Sequence, residues 1–449
     1  MVRARSRSTQ LAGATAASAP ATRRDGVIDL WRGLALVDMA WLHLLGHGLA
    51  LPGALDVVMR EHLRFAAGAF VFIAGLGVAT SFGAALAGRG AAAVRARRAL
   101  WRRALLLLVL DRAVAVVRVG LQAVASSAEP AGDAAAPAIL PILLFRDPGV
   151  TGGLLLLYAM LLAATPALVA VARRVGWTGV ALASAAAYAL AVANVAPASD
   201  AAWSFPLAFW QPLFVAGFVA APAWRWLRSG GTPRLAAWAA CAGLAYGALV
   251  AARTGAFGLA PLGWSFTKVP LLPAELLRYA LAMQLVFAWT ALAFARAGGV
   301  RRGAGLARLL GRSSLAVYVA HLFVEVPLTE GIWRVGPTPL RIAVLLALDV
   351  AALAAVAVAA EWLDRRGRAI APLARPLWMR LPQAAVVGAL SALLCAGALV
   401  AVRAPYPAAD LQAAVEGGAV ELDAGERGPD EDALPDVLDE AAADESAGV

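Results

Sequence analysis

Apolar runs of roughly twenty residues recur along the chain, and arginines collect in every second stretch between them. A helix of about twenty apolar residues crosses the roughly 30 Å hydrocarbon core of a bilayer. The runs predict spans at Val27–Leu49, Leu63–Leu86, Ala104–Val124, Gly152–Val171, Trp177–Val195, Phe205–Trp226, Leu235–Ala251, Ala274–Ala295, Leu309–Leu328, Leu340–Ala360 and Ala384–Val402. The predicted fold class is an all-α polytopic integral membrane protein, a bundle of about 10–11 transmembrane helices.

The first run differs from the others because it carries Asp29, Arg32, Asp38, His43 and His47 within otherwise apolar sequence. Ionisable groups are costly in lipid and default to function or to buried partners. At about 100° per residue, Asp29, Arg32, His43 and His47 fall within a sector of roughly 60°, with Asp38 on the far side. Arg32 and His43 are then about 20° apart around the axis and about 16 Å apart along it. One lies near a membrane face and the other well inside.

Arginine placement orients the chain. Arg89 to Arg103, Arg173 with Arg174, Arg225 to Arg234, Arg296 to Arg308 and Arg365 to Arg380 follow alternate spans. The positive-inside rule puts these connections and the N-terminus in the cytoplasm, in a multi-pass inner-membrane protein. An odd number of spans leaves the C-terminal tail outside. Residues 1–24 read as a disordered cytoplasmic segment, 25–403 as the membrane domain and 404–449 as an acidic, disordered extracytoplasmic tail.

Composition supports this division. Of 449 residues, 61% are hydrophobic, more than a soluble globule can bury. The net charge of +10 hides a split, because residues 404–449 carry 13 acidic residues and one Arg and the remainder is strongly basic. That remainder sits at span ends, which excludes nucleic acid as the reason for the basicity. Cys241 and Cys395 each lie within an apolar run and read as small buried hydrophobes. The four histidines, His43, His47, His62 and His321, show no metal-ligand spacing, so no metal is expected. His47 and His62 are expected at the outer face. No internal repeat is evident, so a transporter made of duplicated halves gains no support.

Three segments carry chemistry-bearing residues at regular spacing. Asp29-x-x-Arg32-Gly33 is followed by His43, with ten residues between Arg32 and His43. Gly68-Ala-Phe-Val-Phe-Ile-Ala-Gly75 opens the second span, and Gly311-Arg-Ser-Ser-Leu-Ala-Val-Tyr-Val-Ala-His321 opens the ninth. Ser314, Tyr318 and His321 share one helix face. These segments resemble the membrane acyltransferase superfamily, which includes the acyltransferase-3 family, the heparan-glucosaminide N-acetyltransferase group and the OpgC-type glucan succinyltransferases. Phe205–Gly217, with Pro206, Trp210, Gln211 and Phe214, is most similar to the OpgC type, as is Leu271–Leu281 with Glu275 and Arg278. Ala74 stands where the superfamily usually has serine. The glycines of the second segment fit close helix packing equally well.

The resemblance implies a membrane-bound O-acyltransferase that moves an acetyl or succinyl group from cytoplasmic acyl-CoA to a hydroxyl of an extracytoplasmic glycan. It implies catalytic or orienting roles for His43, Arg32, Asp29, His321 and Tyr318, and substrate contacts from Arg278, Trp210, Gln211 and Ser314. Residue chemistry agrees, since acyl transfer from a thioester needs a base, a donor for the developing oxyanion and cations for the carrier's phosphates. Arg95, Arg98, Arg102 and Arg103 are candidates for those phosphates, although a positive-inside flank explains them as well. Counted from the inner face, His43 lies about 22 Å in and His321 about 18 Å, with Arg278 about 5 Å from the outer face, so the three are expected to converge. A polytopic transporter of a small polar solute and a catalytically inactive relative are the alternatives. Oligomeric state is not legible.

Overall fold

The computed structural model describes residues 25–46, 65–126, 139–145, 153–194, 205–254, 271–296, 304–335 and 338–369, together with Leu51, Met59, Ala389, Ser391 and Ala392. These residues form helices and no strand. The helices are α1 (Gly26–Gly46), α2 (Ala66–Ala87), α3 (Ala91–Ser126), α4 (Ile139–Leu143), α5 (Leu154–Ala193), α6 (Leu207–Ser229), α7 (Gly231–Thr254), α8 (Pro273–Arg296), α9 (Gly305–Arg312), α10 (Ser314–Val335) and α11 (Pro339–Ala369). Helices α2, α5, α6, α7 and α8 are long and apolar enough to cross a membrane, as is Leu340–Arg366 within α11. The chain is therefore an all-α, multi-pass membrane protein. The N-terminal segment 1–24, the acidic tail 404–449, His47, His62 and nearly all of the predicted span Ala384–Val402 lie outside the described residues.

Two predicted boundaries fall differently. The spans Gly152–Val171 and Trp177–Val195 run into one another as α5, interrupted only at Gly176, whose φ of 75° and ψ of 167° break the helix without an intervening loop. A φ in that region suits glycine, which has no Cβ to clash. The span Leu309–Leu328 is split at Ser313 (φ −101°, ψ 23°), which ends α9 and leaves Ser314 to begin α10. Ser314, Tyr318 and His321 stay on one helix despite the break.

Small residues set two tight crossings. A Cβ on Gly33 would lie 1.7 Å from the carbonyl oxygen of Ala307, and one on Gly311 would lie 1.7 Å from that of Asp29. Helices α1 and α9 thus touch backbone to backbone at two reciprocal points. The same device joins α2 to α6, where Gly75 meets the carbonyl of Phe214 and Gly217 meets that of Phe72, each at 2.0 Å from the added Cβ. Without a hydrophobic drive between helices in lipid, close backbone approach of this kind holds a bundle together. Gly33→Ala is expected to destabilise the protein by about 1–3 kcal/mol, because the neighbour is backbone and has no rotamer to yield. Thermal unfolding in detergent measures this, and an unchanged midpoint would refute the crossing.

An aromatic cluster ties α1 to the rest of the core. Trp31 is fully buried, stacks on Phe287 at 4.3 Å between centroids, and meets Trp224 at 4.7 Å and Trp238 at 6.4 Å. Its indole N–H donates to Thr290 Oγ1 at 3.0 Å. These contacts fix the rotation of α1, so the opposite stripe with Arg32 is aimed by packing. The outer surface is apolar, with Trp101, Leu105, Leu182, Leu190, Leu244 and Leu340 exposed, as a lipid-facing surface requires. Cys241 was expected to be buried and is exposed on α7, a helix that turns most of its surface outward.

Candidate functional site

Building the site starts from α1. Asp29 is buried and Arg32 half-buried one turn later, with Arg32 Nη1 3.4 Å from Asp29 Oδ1. Gly77 of α2 makes room for the guanidinium, since a Cβ there would lie 2.5 Å from Arg32 Nη2. Arg32 is thereby held between a carboxylate on its own helix and a bare backbone on the next. Buried, charge-assisted contacts of this type fix a side chain far better than a surface pair does.

Two cavities meet at Arg32. The first, about 650 Å³, has charged and hydroxyl residues in its lining, Asp25, Asp29, Arg32, Arg103, Arg225 and Arg228 with Thr80 and Ser81, alongside apolar ones such as Ile28, Val78 and Phe82. It lies where the arginine-bearing ends of α3 and α6 approach the start of α1. Asp25 organises its mouth, for its carboxylate accepts from Trp224 Nε1 at 2.9 Å and Arg228 Nη1 at 2.6 Å. The second cavity, about 400 Å³, is mostly apolar, walled by Phe70, Leu106, Leu107, Leu154, Leu155 and Leu315, with Ser314 and Tyr318 as polar members. Arg32, Ala74, Arg103, Tyr158 and Leu162 line both.

The imidazoles lie one ring beyond the second cavity. Tyr318 and His321 have ring centroids 5.0 Å apart, and His321 and His43 are 5.3 Å apart with planes at 33°. His321 is buried and its Nδ1 donates to the backbone carbonyl of Tyr318. A carbonyl only accepts, so this bond places the proton of a neutral imidazole on Nδ1 and leaves the Nε2 lone pair as the basic site. Neither imidazole lines either cavity, and Tyr318 is the link between them.

The remaining candidates are placed unequally. All four arginines of the cluster are exposed, but Arg103 reaches both cavities and stacks over Phe82 at 5.1 Å, whereas Arg95, Arg98 and Arg102 line neither. Ser314 lines the second cavity. Trp210 is fully buried between Phe205 and Tyr279, and Gln211 exchanges two hydrogen bonds with Ser184, accepting from its hydroxyl at 2.6 Å and donating to its carbonyl at 2.9 Å. Gln211 thus serves the α5–α6 contact and Trp210 the packing of α6 on α8, and neither lines a cavity. Arg278 forms a buried ion pair with Glu275 one turn away and sits over the Tyr279 ring at 5.6 Å, also away from both cavities. Arg225, Arg228, Asp25 and Tyr158 also line the cavities, although the sequence marks the two arginines only as part of an orienting cluster and gives Asp25 and Tyr158 no distinguishing signal. Among the described residues no group of three or more His, Cys, Asp or Glu is placed to hold a metal ion.

A sequence model of the OpgC protein family matches residues 24–366. The chain belongs to the OpgC family. The match covers the whole of the site, from Asp25 to His321, and membership suggests an OpgC-type glucan acyltransferase. No curated protein and no solved structure matches this OpgC chain.

Proposed function

We propose that this OpgC protein transfers an acyl group, acetyl or succinyl, from cytoplasmic acyl-CoA to a hydroxyl of an extracytoplasmic glucan. The observation that carries the reading is the continuity of three environments: a cation-lined cavity, an apolar cavity that shares its wall at Arg32, and a pair of imidazoles one ring further on. Each suits one part of the reaction. Arg103, Arg225 and Arg228 offer forked donors to the phosphates of the carrier. The apolar cavity takes the long, neutral thioester arm. His43, with His321 beside it, is the base at the reacting end.

The chemistry is an exchange of esters. The imidazole of His43 accepts the proton of the incoming hydroxyl, whose oxygen bonds to the thioester carbonyl carbon. The C–S bond breaks, and the thiolate leaves as the free thiol after taking up the proton. Asp29 holds Arg32 at the meeting of the cavities, and Tyr318 with His321 shapes the path from arm to base. The arginine-rich ends face the cytoplasm in this reading, and the acceptor arrives from the opposite side.

Purified protein in nanodiscs tests the proposal. Supplied with radiolabelled acetyl-CoA or succinyl-CoA and a glucan oligosaccharide, it is expected to release thiol and to add the acyl mass to the sugar, read by mass spectrometry. Absence of both products with either donor would overturn the reading, and solute uptake into liposomes lacking any thioester would replace it with transport.

A further inference from the structure

We propose that Tyr158 binds the acyl donor, its hydroxyl donating a hydrogen bond to a carbonyl oxygen of the pantetheine–thioester arm where that arm passes from the charged cavity to the apolar one. The assignment rests on the acyl-CoA reading above.

Position is the first argument. Tyr158 sits on α5 in the wall shared by both cavities, beside Arg32, Ala74, Arg103 and Leu162. It lies within electrostatic reach of Arg32 and Tyr318. Any chain threading from one cavity to the other passes it. Ala74 and Leu162 bring no polar side-chain atom to this neck. Arg32 is engaged by Asp29, and Arg103 lies over Phe82.

Satisfaction is the second. The Tyr158 hydroxyl is buried and has no hydrogen-bond partner among the described residues. A buried hydroxyl without a partner is destabilising, and native proteins retain few of them. A phenylalanine would fill the same space without that cost. The hydroxyl is therefore explained by a partner that arrives with the ligand.

Chemistry narrows what the partner is. A phosphate or a carboxylate would be drawn to Arg32 and Arg103, which are cationic donors. The phenol is a neutral donor, suited to a neutral acceptor. Beyond the neck the wall is Phe70, Leu106, Leu107, Leu154, Leu155 and Leu315, with Ser314 and Tyr318 as its hydroxyls, so an amide or thioester carbonyl leaving water at the neck itself has few neutral donors to turn to. The pantetheine–thioester arm presents such carbonyls along its length.

Tyr158→Phe isolates the hydroxyl. The ligand-free variant is expected to melt at the wild-type temperature or slightly above it, because no partner is lost. Its KM for acetyl-CoA is expected to rise about tenfold, with the KM for the glucan acceptor unchanged. Equilibrium binding to coenzyme A and to acetyl-CoA separates the carbonyls. Weakened binding of both assigns an amide of the arm, and weakened binding of acetyl-CoA alone assigns the thioester; either result supports the proposal. Wild-type protein that binds both ligands, with a variant that binds them equally well, overturns the assignment and leaves the acyl-CoA reading standing. A ligand-free variant that melts lower also overturns it, since the hydroxyl then has a structural partner. Wild-type protein that binds neither of these ligands nor succinyl-CoA overturns the acyl-CoA reading, and this assignment with it.

Discussion

Replacing His43 with alanine is expected to reduce acyl transfer by about 10²–10⁴-fold, the range a positioned general base contributes, while the protein still inserts and folds. The expectation of intact folding comes from the surroundings. His43 is half-buried on a helix whose rotation is fixed elsewhere, by Trp31 against Phe287 and Trp224 and by the Gly33–Ala307 crossing. The expected loss of activity comes from its neighbour, since His321 lies 5.3 Å away with its Nδ1 bound to the Tyr318 carbonyl. His321→Asn is the informative companion, because an asparagine amide can reproduce the Nδ1 donor and has nothing at Nε2. If His43 alone takes the proton, His321→Asn loses little; if the pair shares the work, both variants fall together and the double variant falls no further. Thiol release from labelled acyl-CoA measures the rate, and size-exclusion chromatography in detergent confirms the fold. A His43→Ala protein that transfers at the wild-type rate removes the imidazole from the mechanism.

The stripe on α1 was legible because buried charge is conspicuous in apolar sequence. Asp29 and Arg32 cannot sit in a span without partners, and helical spacing puts them on one face with His43. The meeting of His43 with His321 was legible only through the resemblance of two distant segments, since no local pattern brings α1 to α10. What brings them together is glycine. Gly33 and Gly311 belong to the same two segments, and their backbone crossing docks α1 on α9, the helix just before α10. In sequence they read as motif positions, with no hint that each faces a backbone carbonyl of the other's helix.

Other residues show why spacing alone does not assign a role. Arg102 and Arg103 are adjacent and equally basic, yet about 100° separates them around α3, so only Arg103 turns toward the cavities. Gln211 and Trp210 stand in a motif, but the amide of Gln211 is spent on Ser184 and the indole of Trp210 is packed among aromatics. Tyr158 lies in Leu-Leu-Leu-Leu-Tyr-Ala-Met, a run with no polar period at all. Its significance depends on what stands across the cavity from it, which a single sequence does not carry. At Gly176 the Arg173–Arg174 pair marks the end of one apolar run, but nothing in it shows that the next helix follows without a loop. Ser313 lies beside Arg312 within a predicted span, and the polar pair does not by itself announce a new helix start.

Arg32 carries the second large effect, and the form of the substitution decides what is learned. Arg32→Gln removes a cation from the wall of both cavities and takes from the buried Asp29 carboxylate one of its charged partners. Transfer is expected to fall by about 10²-fold, the worth of a charge-assisted contact to the donor at 1.5–3 kcal/mol. Arg32→Lys keeps the charge and loses the planar fork that meets Asp29 while still facing the cavities, so it is expected to recover only part of that loss. The combined variant separates a role in catalysis from a role in folding. If Asp29 acts by holding Arg32, then Asp29→Asn in the Arg32→Gln background costs little more, because the group it orients is already gone. It also relieves the buried carboxylate, so the double variant is expected to melt higher than Arg32→Gln alone. A double variant that loses activity by the product of the two single effects would mean that Asp29 contacts the substrate in its own right, and the picture of an oriented guanidinium at the neck of the two cavities would have to be abandoned.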